Sequence, residues 1–258
     1  MFRLLGHWLA NYLTRPIGTS AMVNTCDLAT LQATLQPGDI LLIDGNTRIS
    51  SAIKYLTHST WSHAAFYVGP HDSLPAYNGQ VEELIESDLI EGVRAIPLAN
   101  YAMLQTRICR PVGLTAEDRK KVVDYVIGHL GDSYDLRNAI DLVRYLLPNP
   151  PVPSRWRRRM LALGSGDPTR AICSTLIAQA FEIVRYPILP IVTQELLTSP
   201  KGENYYREYM HIRHHSLFTP RDFDISPYFE IVKPTIENSF KYREIVWVDQ
   251  SPSQPYLT

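Results

Sequence analysis

The chain has 258 residues, a formal net charge of −1 and 45% hydrophobic residues, which is typical of an ordinary globular protein. A nucleic-acid partner is not expected, because binding to a phosphate backbone usually requires a basic domain or a basic stripe. Three cysteines are too few, and odd in number, for a disulfide framework, and their spacing matches no zinc site. We therefore expect a cytoplasmic protein without a metal or other cofactor.

Residues 1–15 carry apolar side chains at spacings of three and four, a pattern that predicts an amphipathic helix. This stretch lacks the continuous apolar run and the small-residue cleavage site of a secretory signal, so no signal peptide is predicted. Its only charges are Arg3 and Arg15. The helix could therefore dock on its own domain or lie on a membrane surface, and both interpretations stay open.

Hydrophobic periodicity and turn residues predict an alternation of short helices and strands along the remaining chain. The predicted elements are Leu28–Leu35 (helix), Ile40–Ile43 (strand), Arg48–Leu56 (helix), Trp61–Gly69 (strand), Val81–Glu86 (strand), Val93–Leu98 (strand), Arg107–Arg110 (strand), a helix capped by Thr115, Leu136–Leu147 (helix), a helix from Ile172, and Tyr242–Val248 (strand). Asp39, in the Pro-Gly-Asp turn before the first strand, is predicted to bond its own backbone.

Cys173 lies in the first turn of the helix predicted to begin near Ile172, after a loop-forming stretch over 164–169. The partial positive charge of a helix N-terminus lowers a thiol pKa, and its free N–H groups can stabilise an oxyanion. These properties suit a nucleophile. The alternative is that Cys173 is a small buried apolar residue, as free cysteines often are.

His63 stands at the beginning of the apolar strand Trp61–Gly69, where a rigid backbone could hold its ring for proton transfer from a thiol. His58, in the polar loop just before this strand, competes for the same role. A histidine at a strand end is by itself more often structural than catalytic, so the sequence pattern alone does not assign the base.

Five stretches together resemble a known family. They are PGDILLIDG (37–45), WSHAAFYVG (61–69), LIES (84–87), LGDSYD (130–135) and ICSTLIAQAF (172–181). They are similar to the circularly permuted papain-like hydrolases of the YaeF/YiiX type, within the NlpC superfamily of cysteine peptidases and acyltransferases. The histidine strand precedes the cysteine helix here, which is the permuted order. The resemblance implies an α+β fold, in which a small antiparallel, partly barrel-like sheet packs against the helix carrying the cysteine.

The resemblance also implies roles for individual residues. Cys173 would be the nucleophile, His63 its base, and Glu86 the third polar group that orients the imidazole. Glu86 is favoured over Glu83, although neither periodicity nor spacing separates the two. Tyr134, together with Ser174, would contact the oxyanion or the substrate carbonyl.

A cysteine amidase or peptidase that works through a thioester is the function implied first, with a small-molecule, peptide or lipid substrate. Ester and thioester substrates suit the same residues. Two alternatives stay open: an acyltransferase acting on lipids, and a catalytically inactive module that binds a lipid or a peptide.

The predicted organisation is an N-terminal helix and linker over 1–27, one catalytic domain over 28–250, and a tail over 251–258. Insertions are expected near 148–170 and 186–232. The first contains Arg155–Arg159 around a tryptophan, which could contact anionic lipid at a membrane surface or form a solvated helix face. The second is rich in Pro, Tyr and His, and is interpreted as a lid or specificity loop without a metal.

Overall fold

The computed structural model describes residues 15, 26–74, 76–77, 80–88, 91–132, 172–198, 204–237 and 243. Within these ranges, no helix has both the length and the apolar character that crossing a bilayer requires. The predictions outside them are the N-terminal helix, Tyr134, the helix over 136–147, Arg155–Arg159, almost all of the strand over 242–248, and the tail over 251–258.

Short helices and strands alternate through the described chain. The helices are α1 (Leu28–Thr34), α2 (Arg48–Thr57), α3 (Ala116–Gly128), α4 (Ile172–Ile183), α5 (Pro220–Asp224) and α6 (Pro234–Glu237). The strands are β1 (Ile40–Asp44), β2 (His63–Tyr67), β3 (Ala76–Tyr77), β4 (Gln80–Val81), β5 (Leu84–Asp88), β6 (Gly92–Ile96), β7 (Gln105–Pro111), β8 (Ile191–Thr198), β9 (Asn204–His211) and β10 (Phe229–Val232). Two 3-10 turns cover Leu98–Tyr101 and His215–Leu217.

Side-chain caps begin three of these helices. Asp27, Thr47 and Thr115 each accept a hydrogen bond from a backbone N–H in the first turn of α1, α2 and α3. Such caps satisfy donors that have no partner inside the helix. The cap predicted at Thr115 is therefore present.

Six strands form one antiparallel sheet in the order β10-β7-β1-β2-β5-β6. Together with the helices it gives the α+β architecture that the family resemblance implied. The partly barrel-like closure is not confirmed, because among the described residues β10 and β6 are the edges of an open sheet. The strand predicted over 81–86 is divided between β4 and β5.

The two faces of the sheet contact different layers, because successive side chains along a strand point to opposite sides. Phe66 and Ile85 belong to the larger cluster, which includes Leu176, Ile177 and Phe181 of α4. The alternate positions, such as Tyr67 and Leu84, pack in a second cluster with residues of α1. The sheet thus separates α4 from α1.

Asp39 has the structural role that the turn predicted. Its Oδ2 accepts a hydrogen bond from the Gln36 backbone N–H at 2.8 Å. The same carboxylate is buried and forms a two-pronged ion pair with Arg110, whose Nε and Nη2 lie 2.9 and 2.7 Å from its two oxygens. The ion pair joins the turn before β1 to β7.

The segment rich in Pro, Tyr and His forms a two-stranded hairpin, β8–β9, followed by a 3-10 turn and α5. At its base, Met210–Arg213 line a cavity of about 400 Å³ with Glu182 and Arg185, at the C-terminal end of α4. Cys173 lies near the other end of this 12-residue helix, about 15 Å away at 1.5 Å per residue. The base of the hairpin is therefore remote from Cys173.

Phe181 joins α4 to the sheet, and its replacement tests this packing. It is fully buried and makes edge-on contacts with Phe66 and Phe229, at centroid distances of 6.2 and 5.4 Å. We expect Phe181→Ala to lower the free energy of unfolding by about 3–5 kcal/mol in urea titrations, because the cavity cannot collapse fully. Tyr55→Ala, at an exposed position, should cost well under about 1 kcal/mol. Equal losses in the two variants would contradict this account of the core.

Candidate active site

The candidate site begins with His63, whose backbone is fixed at the start of β2. Ile43 of β1 is its register partner, and the Ser62 backbone N–H donates to the Ile43 carbonyl at 3.0 Å. Gly45 packs so closely on Ser50 and Ser62 that a Cβ there would clash with both hydroxyl oxygens. The chain on the N-terminal side of His63 is therefore held on a rigid frame.

Glu86 accepts a hydrogen bond from His63. It lies in the middle of β5 and is only 3% exposed, and its Oε2 is 2.6 Å from His63 Nε2. Because a carboxylate only accepts, His63 donates through Nε2–H, which leaves Nδ1 as the ring nitrogen that can face another group. Glu86 thus fixes both the orientation of the ring and its tautomer.

Two further donors converge on the Glu86 carboxylate. Arg94 is its cross-strand partner on β6, with Nε and Nη2 at 2.9 and 2.8 Å from Oε1. The Tyr101 hydroxyl, from the 3-10 turn after β6, donates to Oε2. Burial by itself raises the pKa of Glu86, but His63, Tyr101 and Arg94 together lower it to about 2. Glu86 is therefore ionised at neutral pH despite its burial.

Cys173, in the first turn of α4, places its thiol close to the His63 side chain. Its side chain is buried and hydrogen-bonds with the His63 side chain, and the Ala64 backbone N–H also bonds the sulfur. Burial favours the neutral thiol, but the attraction of His63, these hydrogen bonds and Ser174 outweigh it, so the pKa of Cys173 is lowered. The helix N-terminus adds to this stabilisation of a thiolate.

The pKa of His63 shifts in the opposite direction. Burial disfavours the imidazolium, yet Cys173 on one side and Glu86 on the other raise the pKa of His63 well above its ordinary value. A lowered thiol pKa and a raised imidazole pKa together favour a thiolate–imidazolium pair. Since such a strongly interacting pair titrates as a unit, the shifts describe the pair and not either residue alone.

The other residues that the sequence suggested have different positions. The Ser174 side chain is fully buried, with Oγ 4.0 Å from Cys173 Sγ, so its hydroxyl faces the thiol. Glu83 accepts a hydrogen bond from Gln32 Nε2 at 2.7 Å, and the structure places Glu86 on His63 instead. His58 ends α2 in a left-handed conformation, with φ 49°. Tyr134 lies outside the described residues.

The other two cysteines are in settings that suppress reactivity. Burial raises the pKa of Cys109, which lies on β7, and burial with the nearby Asp27 raises the pKa of Cys26. Because the thiolate is the nucleophilic form, Cys173 has the most favourable setting of the three. Among the residues that the structure describes, no group of three or more His, Cys, Asp or Glu side chains is arranged to hold a metal ion.

Sequence reasoning did not single out Arg94 and Tyr101. Arg94 could have been found by pairing the acidic strand with the next strand, since opposite charges often face each other across an antiparallel pair. Tyr101 reaches back across 15 residues from a 3-10 turn, and no periodic pattern marks it. The candidate site is therefore a network of five side chains: Cys173, His63, Glu86, Arg94 and Tyr101.

Removing the Tyr101 hydroxyl tests how much its hydrogen bond to the buried Glu86 carboxylate contributes to stability. We expect Tyr101→Phe to lower the free energy of unfolding by about 1.5–3 kcal/mol at neutral pH, because hydrogen bonds to charged groups contribute in that range. The loss should be much smaller in a Glu86→Gln background, as a double-mutant cycle in urea would show. Tyr55→Phe, at an exposed position, is the control. Additive losses would contradict a direct Tyr101–Glu86 interaction.

Comparison with known proteins shows which family part of the chain resembles. Residues 34–144 match the family model described as "Permuted papain-like amidase enzyme, YaeF/YiiX, C92 family", a segment that includes His63 and Glu86 and ends before Cys173. No curated protein matches. Among solved structures, one titled "Crystal structure of metalloprotein yiiX from Escherichia coli O157:H7, DUF1105" is 18% identical, with a TM-score of 0.42 over 77% of this chain and 96% of that one. The match confirms the resemblance seen in the sequence: residues 34–144 are similar to the permuted papain-like amidases of the YaeF/YiiX type.

Proposed function

We propose that the chain hydrolyses an amide bond through a thioester on Cys173. The family supports a cysteine hydrolase of the amidase class, and the substrate and the residue roles are our proposal. The observation that carries it is that the His63 side chain interacts both with the Glu86 carboxylate, through Nε2 at 2.6 Å, and with the Cys173 thiol. A nucleophile, a base and a group that orients the base form the arrangement on which covalent acyl transfer depends.

The first half of the reaction forms the acyl-enzyme. The Cys173 proton resides on His63, and the sulfur attacks the carbonyl carbon of the substrate to give a tetrahedral oxyanion. Backbone N–H groups in the first turn of α4 are the donors that such a position offers to the oxyanion. The carbon–nitrogen bond then breaks, and His63 returns its proton to the departing amine. The products are a free amine and a thioester on Cys173.

Water completes the cycle. His63, now neutral, takes a proton from a water molecule while the oxygen attacks the thioester carbonyl. The carbon–sulfur bond breaks, a carboxylic acid leaves, and the proton on His63 again pairs with the Cys173 thiolate. Glu86 remains ionised throughout, because its low pKa keeps the proton on the imidazole. Ester and thioester substrates would follow the same steps with a different leaving group.

Alkylation of the free enzyme tests the activated thiol. With iodoacetamide at mildly acidic pH, we expect intact-mass analysis to show a single rapid label, which disappears in Cys173→Ala. The rapid low-pH reaction should also be lost in His63→Ala, because burial then raises the Cys173 pKa without the opposing attraction of the imidazolium. Labelling of His63→Ala should recover only as the pH rises past the pKa of an ordinary thiol, about 8.5.

A neighbouring histidine supplies the matched control for that experiment. His58→Ala changes a histidine five positions away, at the end of α2, and should leave the rapid labelling intact. If His58→Ala slows the reaction as much as His63→Ala, the assignment of the base is wrong. If Cys173 in the wild type reacts no faster than an exposed thiol, the proposed function fails.

A panel of amide, ester and thioester substrates that share one acyl group tests which kind of bond the protein cleaves. We expect turnover of an activated anilide, and a covalent adduct on Cys173 by mass spectrometry when excess substrate is quenched in acid. The adduct should react with hydroxylamine, as a thioester does. Cleavage of esters and thioesters without any amide turnover would contradict the amidase assignment while leaving the thioester mechanism in place.

A further inference from the structure

The helix α4 ends on a residue that is unusual for its position. The Tyr186 backbone N–H donates to the Phe181 carbonyl and the Arg185 N–H to the Glu182 carbonyl, both at 2.9 Å, and the Phe181 and Tyr186 ring centroids are 5.4 Å apart. This is the Schellman pattern, whose left-handed residue is usually glycine. Here that residue is Arg185, with φ 53°. Because a side chain is disfavoured in this conformation, an arginine at this position is unfavourable for the fold by itself.

Arg185 also lines the cavity at the base of the hairpin β8–β9. Two other residues of its described lining carry a formal charge, and each has a partner. Glu182 lies 3.1 Å from the His215 ring, and Arg213 lies 3.5 Å from Asp222. Within the part of the chain that the structure describes, the Arg185 guanidinium forms neither an ion pair nor a hydrogen bond. The cavity therefore has one cation whose charge is not balanced.

Apolar side chains form most of the cavity wall. They are Ala178, Ile188, Leu189, Met210, Ile212 and Phe218. Part of this wall is fixed by other contacts, because the Ser226 hydroxyl donates to the Ile188 carbonyl and the Arg213 guanidinium lies 4.9 Å from the centre of the Phe218 ring. The volume of about 400 Å³ is within the range of small-molecule sites. A wall that is already ordered reduces the entropic cost of binding.

We propose that this cavity binds a small aliphatic carboxylate, with the carboxylate on the Arg185 guanidinium and the alkyl chain against the apolar wall. The planar guanidinium matches a carboxylate with two parallel hydrogen bonds. Two arginines and one glutamate give the lining a net charge of +1, which complements a monoanion, while Glu182 disfavours a dianion such as phosphate. The inference goes beyond the proposed function, and the site shares no residue with the network around Cys173.

Isothermal titration calorimetry with octanoate tests the proposal on the full chain. We expect octanoate to bind with one molecule per chain. Octanol, which has the alkyl chain without the charge, and inorganic phosphate, which has charge without the chain, should each bind at least about tenfold more weakly. Cys173→Ala should bind octanoate as the wild type does, because the cavity is remote from the thiol. This control separates the cavity from the candidate active site.

Arg185→Gly separates binding from folding. Glycine is favoured at φ 53°, so the midpoint of thermal unfolding should stay the same or rise, while octanoate binding should weaken at least about tenfold. Arg185→Lys keeps the charge without the planar fork and should weaken binding less than Arg185→Gly does. Arg119→Gln, on α3 and outside the cavity, is the control and should bind octanoate as the wild type does.

Two exposed isoleucines test the apolar wall. Ile212 and Ile225 are 57 and 49% exposed, and of the two only Ile212 lines the cavity. Ile212→Ser should therefore weaken octanoate binding roughly fivefold, while Ile225→Ser should not change it. Failure of octanoate to bind at millimolar concentration would overturn the proposal, as would equal binding of octanol or unchanged binding in Arg185→Gly. Loss of binding in Cys173→Ala would also overturn it, and would place the ligand in the candidate active site.

Discussion

The buried carboxylate of Glu86 is the interaction on which the candidate site depends. An ionised group in the core is unfavourable unless donors surround it, and Glu86 has three, from His63, Arg94 and Tyr101. These donors come from three different elements, so the carboxylate ties β2, β6 and the 3-10 turn to β5. The same bond that satisfies the charge also holds the imidazole. The stability of the core and the orientation of the His63 ring are therefore not separable at this position.

Strand register accounts for much of this arrangement. The β5–β6 pairing puts Arg94 directly opposite Glu86, and a slip of one residue would move the guanidinium to the other face of the sheet. Cys173 reaches His63 from the opposite layer, because α4 packs on the face that carries Phe66, and its first turn meets the start of β2. The site thus lies where the two layers meet, at the end of the strands.

Local sequence patterns were sufficient to predict the two elements that carry Cys173 and His63. A loop followed by an apolar period predicted a helix from Ile172, and the apolar run before Gly-Pro predicted the strand beginning near His63; both elements are present. The choice between Glu83 and Glu86 could not be derived from spacing, since both side chains are buried. It depends on where β4 ends and β5 begins, and therefore on tertiary pairing. The placement of Arg94 and Tyr101 beside Glu86 also depends on long-range contacts, which spacing along the chain does not reveal. The hairpin was missed because apolar and polar residues occur on both of its faces, so its strands lack the alternation that marks a half-buried strand.

The order of the two halves of the site along the chain has a consequence for biosynthesis. Cys173 follows His63 by 110 residues (173 minus 63), so five of the six strands of the sheet, with the histidine and the carboxylate, leave the ribosome first, and only β10 follows α4. Until α4 docks, the thiol lacks both the imidazolium and the Ala64 N–H, and it has the reactivity of an unfolded cysteine. The nascent protein therefore carries a thiol with an ordinary pKa, and the lowered pKa appears only once α4 has packed on the sheet. In this protein, a lowered thiol pKa is evidence that α4 has docked beside His63.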